Sequence, residues 1–200
     1  RRIRLETADV ALLKQLVPEI ALISEEYSRW DAVLRVGDKV RSPLVSGVGV
    51  DYGEMRNEIP VAGGRWLNAR DLAEKRRVVF LGDKVSDFLF GEGADPVGES
   101  LLLNGVPFRV IGVLRAKIQN SSYNTRDQVR AFIPSTTYEG MFGERYLNDI
   151  VLTTRWGWSR SQEVVAKVRE VLADKYVFDP ADEDAVNVWD SAEFFDEFTA

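Results

Sequence analysis

The sequence contains neither cysteine nor histidine in its 200 residues. The missing cysteine excludes disulfides and fits an oxidising compartment, although many cytoplasmic domains also lack cysteine. The missing histidine excludes the serine triad, the cysteine–histidine pair and every metal site that uses histidine. Most common hydrolytic active sites are therefore excluded.

Long apolar runs and an excess of positive charge are absent too. No stretch approaches the roughly eighteen apolar residues that cross a bilayer, and no segment resembles a signal peptide. The net charge of −6 argues against nucleic acid, because phosphate binding needs a basic surface. Hydrophobic residues still make up 45% of the chain, which is enough to form a core in one or two domains.

The most informative segment is residues 77–115. Its apolar run Val78 to Leu81 predicts a buried strand, and Asp83 stands at the N-cap position of a helix. Gly91 stands where a left-handed residue commonly ends a helix. Asn104-Gly105 separates two strand-like stretches and predicts a two-residue type I′ turn. A strand, a helix and a β-hairpin are therefore expected in this order.

Further elements are expected on both sides of this segment. Those before it are a helix from Thr7 to Pro18, strands at 21–25, 32–36 and 44–50, and a short helix at 52–57. Those after it are strands at 130–134, 149–153 and 186–189, a helix behind Ser159, and a helix from Asp190 onward. Ser159 and Gln162 match the capping-box pattern.

The amino-acid sequence of these segments resembles that of the extracytoplasmic core domain of MacB-type ABC transporter permeases. These permeases belong to a superfamily that also includes LolC-like and FtsX-like proteins. The phrases VVFLG, LFG, DPVG and NGVPFRVIGVL occur in the family's order and spacing. VPEIALIS, SGVGVDYGEMR, GGRWLNARD and AFIPSTTYEGMFG extend the resemblance to nearly the whole chain.

The resemblance implies an α+β fold with two subdomains. A mixed α/β porter-like subdomain is built from both chain ends, 1–59 and 149–200, and the second part leads toward a membrane helix. A β-rich Sabre-like subdomain, 60–148, is inserted between them. The family places such a domain between two membrane helices, so one helix is expected just before Arg1 and another soon after Ala200.

The function that the resemblance implies is mechanical. The domain would couple ATP-driven motion of membrane helices to export or extraction of a substrate, or to an envelope partner. It would be no enzyme and need no cofactor, since ATP hydrolysis belongs to a separate or fused cytoplasmic ABC domain. The expected partners are that ATPase, a second permease copy and an envelope adaptor, at the extracytoplasmic face of a bacterial membrane. The alternative is an independent extracytoplasmic ligand-binding or sensor module, which would need a concave pocket.

Five residues are candidates for contact with a partner: Ser121, Tyr123, Asn124, Trp156 and Trp158. The first three lie in a polar passage with little to bury, and partner contacts concentrate at loop tips. The two tryptophans precede a predicted helix, and tryptophan is enriched at interfaces. The alternatives are an incidental exposed tyrosine and tryptophans that cover the N-terminus of that helix.

Two other patterns suggest ligand sites but do not match their templates. The acidic run from Asp179 to Asp184 departs from the calcium-binding EF-hand loop, because Ala181 and Asp184 occupy positions that need a ligand and a glycine. Gly47 and Gly49 lack the third glycine of a dinucleotide-binding loop. Solvated carboxylates are the expected explanation for the acidic run, and tight strand packing or β-bulges are expected for the two glycines.

Overall fold

The computed structural model describes residues 3–116 and 127–182. The helices are α1 Thr7–Leu16, α2 Asp51–Met55, α3 Ala69–Ala73, α4 Asp83–Phe90, α5 Ser135–Phe142 and α6 Ser161–Tyr176, with a 3-10 turn at Gly157–Arg160. The strands are β1 Ile20–Arg29, β2 Leu34–Val36, β3 Lys39–Arg41, β4 Leu44–Val48, β5 Val78–Leu81, β6 Ser100–Leu103, β7 Val106–Val113, β8 Arg130–Pro134 and β9 Asp149–Thr154.

These strands form one mixed sheet in the order β3-β2-β6-β7-β5-β8-β4-β1-β9. The pairs β4–β8 and β5–β7 are parallel, whereas β5–β8, β6–β7, β2–β6, β2–β3 and β1–β9 are antiparallel. Helices and a mixed sheet confirm the predicted α+β class. The short strand β3 was not expected, because its three residues are all exposed and carry no alternating pattern.

The predicted hairpin is confirmed in detail. Leu103 pairs with Val106, so two residues form the turn between β6 and β7. Asn104 and Gly105 have φ values of 49° and 79°, and a type I′ turn requires positive φ at both central residues. Local residue chemistry therefore sets the register of this hairpin.

Two predicted helix starts are wrong by one or two positions. Helix α4 begins at Asp83 itself, and Gly82 is its N-cap. Helix α6 begins at Ser161, because the residues before it form the 3-10 turn, where the Ser159 hydroxyl donates a hydrogen bond to the Trp156 carbonyl instead of capping a helix. Gly91 has the expected positive φ, 99°, but its ψ of 146° lies outside the left-handed helical region.

Backbone packing divides the chain into two compact units. Unit 1 takes its residues from Arg1–Glu26 and Arg145–Ala200, and unit 2 is Tyr27–Glu144. The expected boundary between residues 59 and 60 lies inside unit 2. The three-part division into porter-like and Sabre-like subdomains stays a prediction.

The core of unit 1 lies between its sheet strands and its two longer helices. Helices α1 and α6 contribute Val10, Leu13, Val164, Val168 and Leu172 to one cluster with Ile20, Ile23 and Leu152 of the strands. These helix residues recur at three- and four-residue spacing, which places them on one face of each helix. The amphipathic helices predicted at both chain ends thus bury their apolar faces together.

The core of unit 2 is rich in aromatic rings. The Trp66 ring lies edge-on to Phe80 and Phe132, with centroids 4.8 and 5.5 Å away. On β4, a Cβ at Gly47 would come within 2.5 Å of the Tyr138 Cβ, so only glycine lets that tyrosine lie against the strand. The tight packing expected at this glycine is confirmed.

None of the helices within the described residues is both long and apolar enough to cross a membrane.

Candidate functional site

The first candidate site joins the two chain-end helices of unit 1. Asp9 in the first turn of α1 is fully buried. Its Oδ2 accepts hydrogen bonds from the Tyr176 hydroxyl at 2.6 Å and from the Glu6 backbone N–H at 2.8 Å. Its Oδ1 accepts a hydrogen bond from the Lys175 ammonium. One carboxylate therefore holds the start of α1 and the end of α6 together.

The protonation of this junction follows from its contacts. Burial raises the pKa of Tyr176 to about 12, and the hydrogen bond to Asp9 adds to the effect. The hydrogen bond to Asp9 raises the pKa of Lys175 above its usual value. The tyrosine is thus neutral and the lysine charged at neutral pH, so each donates to the carboxylate.

Other polar contacts connect the same two chain segments. Arg145 pairs with Glu6 at 2.5 Å, and the Arg155 Nε donates to the Pro18 carbonyl at 2.7 Å. Lys167 on α6 pairs with Glu19 just before β1. Together with the β1–β9 strand pair, these contacts join residues 3–26 to residues 145–176 at several separate points.

A polar cleft opens beside this junction in unit 1. It has a volume of about 660 Å³ and is lined by Ile3, Arg4, Glu6, Arg145, Tyr146, Tyr176, Val177, Phe178 and Asp182. The Arg4 and Arg145 guanidinium carbons lie 5.0 and 5.6 Å from the centroid of the Tyr146 ring, within the range of cation–π contact. The cleft therefore combines charges of both signs with apolar surface.

The second candidate site is a buried ionic cluster in unit 2. Asp127 is fully buried, and its Oδ1 accepts hydrogen bonds from Arg56 at 2.7 Å and from Arg130 at 3.4 Å. Arg130 also donates to the Ser46 hydroxyl at 2.5 Å and to the Tyr52 hydroxyl at 3.2 Å. A buried carboxylate between two guanidinium groups is costly to separate, so this cluster connects β4, α2 and β8 firmly.

Gly82, the residue that follows β5, packs against the backbone at Asp127 and Gln128. A Cβ at Gly82 would lie 2.4 Å from the Asp127 carbonyl oxygen and 2.3 Å from that of Gln128. The Gly82 N–H also donates to the Arg130 carbonyl at 2.8 Å. Glycine is therefore required here for the chain at Asp127 to lie across the end of the strand.

One family model matches most of the chain. The model of the MacB-like periplasmic core domain matches residues 1–172. The chain belongs to this family. The resemblance predicted from the sequence is thus confirmed, and the family places the domain on the extracytoplasmic side of a membrane.

Curated relatives of this core domain are much longer than the chain. A macrolide export ATP-binding/permease protein MacB from Chlorobaculum tepidum is 34% identical over 161 residues, which cover 78% of this chain and 24% of the relative. A pyoverdine export ATP-binding/permease protein PvdT from Pseudomonas syringae is 33% identical over 147 residues, covering 74% of this chain and 22% of the relative. The chain spans about a quarter of the length of such relatives.

Solved structures support the same fold. The periplasmic region of MacB from Actinobacillus actinomycetemcomitans matches with a TM-score of 0.74 at 20% identity, covering all of this chain and 85% of that one. The extracellular domain of the ABC-type transporter YknZ from Gram-positive bacteria also has a TM-score of 0.74, at 17% identity, covering 89% of this chain and 87% of that one.

In this MacB-like core domain, the five predicted contact residues fall into two groups. Ser121, Tyr123 and Asn124 lie outside the described residues. Trp156 is 42% exposed and stacks on Arg160, whose guanidinium carbon is 4.2 Å from its ring centroid. Trp158 lies in the 3-10 turn, and its side chain lies outside what the structure describes. The tryptophan contact therefore stays a prediction, supported by an exposed ring at Trp156.

The acidic run has a partly structural role. The Asp179 side chain accepts a hydrogen bond from the Ala181 backbone N–H at 2.9 Å, which forms a local turn. Glu183 and Asp184 lie outside the described residues. In the part of the chain that the structure describes, no three acidic, histidine or cysteine side chains gather as metal ligands would.

Sequence reasoning missed both polar junctions. Asp9 had a local signal, since an acidic residue in the first turn of a helix favours its N-terminus. Arg56 and Asp127 carry no local signal of their contact, because they are separated by 71 positions in the chain. Trp30, which is 69% exposed at the end of β1, was also missed, because no helical or strand pattern marks it.

Proposed function

We propose that this domain is the extracytoplasmic part of an ABC transporter permease that transmits motion from membrane helices and carries out no chemistry itself. The single observation that supports the proposal best is the junction at Asp9, where segments from the two ends of the chain fold together. In a permease of this family these ends continue toward the membrane, so a displacement of either helix reaches unit 1 directly.

A domain that transmits motion must deform little where the motion enters. In unit 1 the buried carboxylate, the shared apolar core and the antiparallel β1–β9 pair favour such stiffness. The ionic cluster of Arg56, Asp127 and Arg130 favours the same property inside unit 2. Each unit is therefore suited to move as a body rather than to change its internal packing.

The proposal includes three partners. An ABC ATPase, fused or separate, would drive the membrane helices, in keeping with the words "ATP-binding/permease" in the names of the relatives. A second permease copy would pair with this one, and an envelope adaptor would contact the extracytoplasmic side. The relatives are named for export of macrolides and of pyoverdine, so the proposal includes export or extraction but no particular substrate.

Contact with the adaptor is proposed separately in each unit, at the residues predicted from the sequence: Ser121, Tyr123 and Asn124 in unit 2, and Trp156 and Trp158 in unit 1. Among them, the ring of Trp156 supports the assignment, because an exposed tryptophan offers a large rigid contact area.

A distance measurement in the full-length protein tests the coupling. Any cysteines outside this cysteine-free domain are first replaced, and Val40→Cys then places a spin label on the exposed surface of unit 2. The distance between the labels of two copies in membranes is then compared with and without a non-hydrolysable ATP analogue. We expect nucleotide to shift this distance distribution by several ångströms, and Asp9→Asn to reduce the shift.

Asp95→Asn, at an exposed position of unit 2, is the matched control and should leave the shift unchanged. A label distance that stays constant while the protein binds nucleotide would contradict the proposal. A shift that Asp9→Asn leaves intact would show that the junction is not the point where motion enters.

A further inference from the structure

The polar cleft of unit 1 lies close to the start of the chain. Its lining comes from Ile3, Arg4 and Glu6 near the start of the chain, and from Arg145, Tyr146, Tyr176, Val177, Phe178 and Asp182. If the first chain end continues into a membrane helix, as the proposed function requires, this cleft lies next to the outer surface of the bilayer. The inference rests on that function in this one respect.

The cleft carries an arginine suited to bind an anion. Arg4 is exposed and lies against the Tyr146 ring, and a guanidinium that stacks on a ring keeps its N–H groups free at its edge. Among residues 3–116 and 127–182, no carboxylate forms a salt bridge with Arg4, whereas Arg145 is paired with Glu6. Arginine binds phosphate oxygens through two parallel hydrogen bonds, so phosphate is the anion that this geometry favours.

The charges around Arg4 favour a headgroup with both signs. Glu6 and Asp182 place carboxylates in the same cleft, and the whole chain has a net charge of −6. Such surroundings disfavour a purely anionic headgroup. A headgroup that carries an ammonium beside its phosphate matches Arg4 with its phosphate and Asp182 with its ammonium, while Glu6 stays paired with Arg145.

Val177 supplies the apolar part of the site. This residue follows α6 with a φ of 55°, in the left-handed region where glycine or asparagine is usual and a β-branched side chain is strained. Its side chain is nevertheless 89% exposed. A strained and exposed valine gains nothing in the isolated fold, but it offers contact to an apolar ligand beside Phe178.

We propose that this cleft binds a zwitterionic phospholipid of the phosphoethanolamine type. Arg4 holds the phosphate, Asp182 faces the ammonium, and Ile3, Val177 and Phe178 contact the start of the acyl chains. The domain would thereby bind the bilayer surface close to its first chain end.

The test is a titration of the 200-residue chain with monomeric dihexanoyl-phosphatidylethanolamine, followed by amide chemical shifts. We expect saturable binding with shifts concentrated at residues 3–6, 145–146 and 176–178. Arg4→Gln should weaken binding about tenfold, because it removes a charged hydrogen-bond donor. Arg35→Gln, an exposed arginine outside the cleft, should have no effect.

A second variant separates a binding role from a structural one. Val177→Gly relieves the strained backbone, so it should raise the melting temperature and yet weaken lipid binding about fivefold by removing apolar contact. A glycine variant that is more stable and binds equally well would overturn the role of Val177.

Comparison ligands identify the source of the phosphate. Phosphoethanolamine and inorganic phosphate lack acyl chains and should bind much more weakly, and dihexanoyl-phosphatidylglycerol should bind more weakly because it lacks the ammonium. Equal binding of any of these ligands, absence of shifts in the cleft, or an unchanged affinity in Arg4→Gln would overturn the proposal. Because this titration uses no nucleotide or membrane helix, its failure and a failure of the spin-label experiment are distinguishable.

Discussion

The hydroxyl of Tyr176 donates a hydrogen bond to the buried carboxylate of Asp9, 2.6 Å away and 167 positions earlier in the chain. Asp9 lies in the first helix and Tyr176 ends the last described helix. Their contact makes the first and the last described helices parts of one folded unit, which supports the proposed function.

Replacing this carboxylate should destabilise unit 1. Asp9→Asn removes the charge that faces Lys175 while the half-buried Tyr176 stays beside it, so we expect a loss of about 2–3 kcal/mol in the free energy of unfolding. Chemical denaturation measures the change. Asp95→Asn, on the exposed surface, should change stability by less than about 0.5 kcal/mol. Equal effects of the two variants would show that the junction contributes little.

Stability should fall at alkaline pH. Burial raises the pKa of Tyr138 and of Tyr176 to about 12 from 10.0, so both tyrosines stay protonated in the folded chain when those of the unfolded chain ionise. Their contribution is complete below pH 10 and is lost as the pH rises toward 12. The hydrogen bond to Asp9 also raises the pKa of Lys175, so this lysine likewise contributes stability that is lost as the pH rises.

Denaturation at a series of pH values measures this loss. Tyr138→Phe keeps the ring that stacks on Tyr27 but removes the ionisable hydroxyl, so the alkaline loss should become smaller. Since the chain has no histidine, no imidazole contributes to any change in stability between roughly pH 5 and 8. A stability that stays constant above pH 10 would contradict the proton linkage.

A pair of glycine substitutions tests the packing of unit 2. Gly47→Ala places a Cβ within 2.5 Å of the Tyr138 Cβ and should cost about 1–3 kcal/mol in stability. Gly140→Ala, in helix α5 with open space around the new Cβ, should instead stabilise the protein by about 0.4–1 kcal/mol. Thermal unfolding should show a lower melting temperature for Gly47→Ala and a higher one for Gly140→Ala. An unchanged melting temperature in Gly47→Ala would show that Tyr138 is free to shift.

A double-mutant cycle tests the ionic cluster. Arg56→Ala and Asp127→Ala each remove one partner of a buried ion pair, so each alone should destabilise the protein by about 3–5 kcal/mol. The double variant should lose less than the sum, with a coupling energy of about 1–3 kcal/mol. Additive losses in chemical denaturation would mean that the two residues act independently.

A substitution at Trp156 can test the predicted partner contact without a large change in the stability of the domain. Because its ring is 42% exposed, Trp156→Ala should change stability by less than about 1 kcal/mol. If the residue binds an envelope partner, the yield of a crosslink from a photoreactive residue at Tyr123 should fall in intact cells. Trp30→Ala removes another exposed tryptophan and is the control. An unchanged crosslink yield in Trp156→Ala would show that Trp156 does not contribute to the proposed contact with the partner.

Local signals predicted the elements better than their exact starts. The apolar run at Val78 to Leu81 became β5 with the predicted bounds. Ser159 matched a capping pattern but lies in a 3-10 turn, because the same side chain can bond a nearby carbonyl instead. Competing local hydrogen bonds of similar strength are the reason why such boundaries shift.

The sequence alone determined the features that depend on neighbouring residues. The turn at Asn104-Gly105 forms because these residues accept positive φ at little cost, and the amphipathic spacing of α1 and α6 marks the faces that they bury. Family resemblance also came from the order of short local phrases.

Only the tertiary structure decided which distant segments meet. The contact of Asp9 with Tyr176 joins residues 167 positions apart, and the contact of Arg56 with Asp127 joins residues 71 positions apart. The strand order likewise brings together strands that are distant in the chain, such as β1 and β9. Many pairings of apolar faces and charges are compatible with one sequence pattern. The choice among them depends on simultaneous packing of the whole core, which no local window of residues contains.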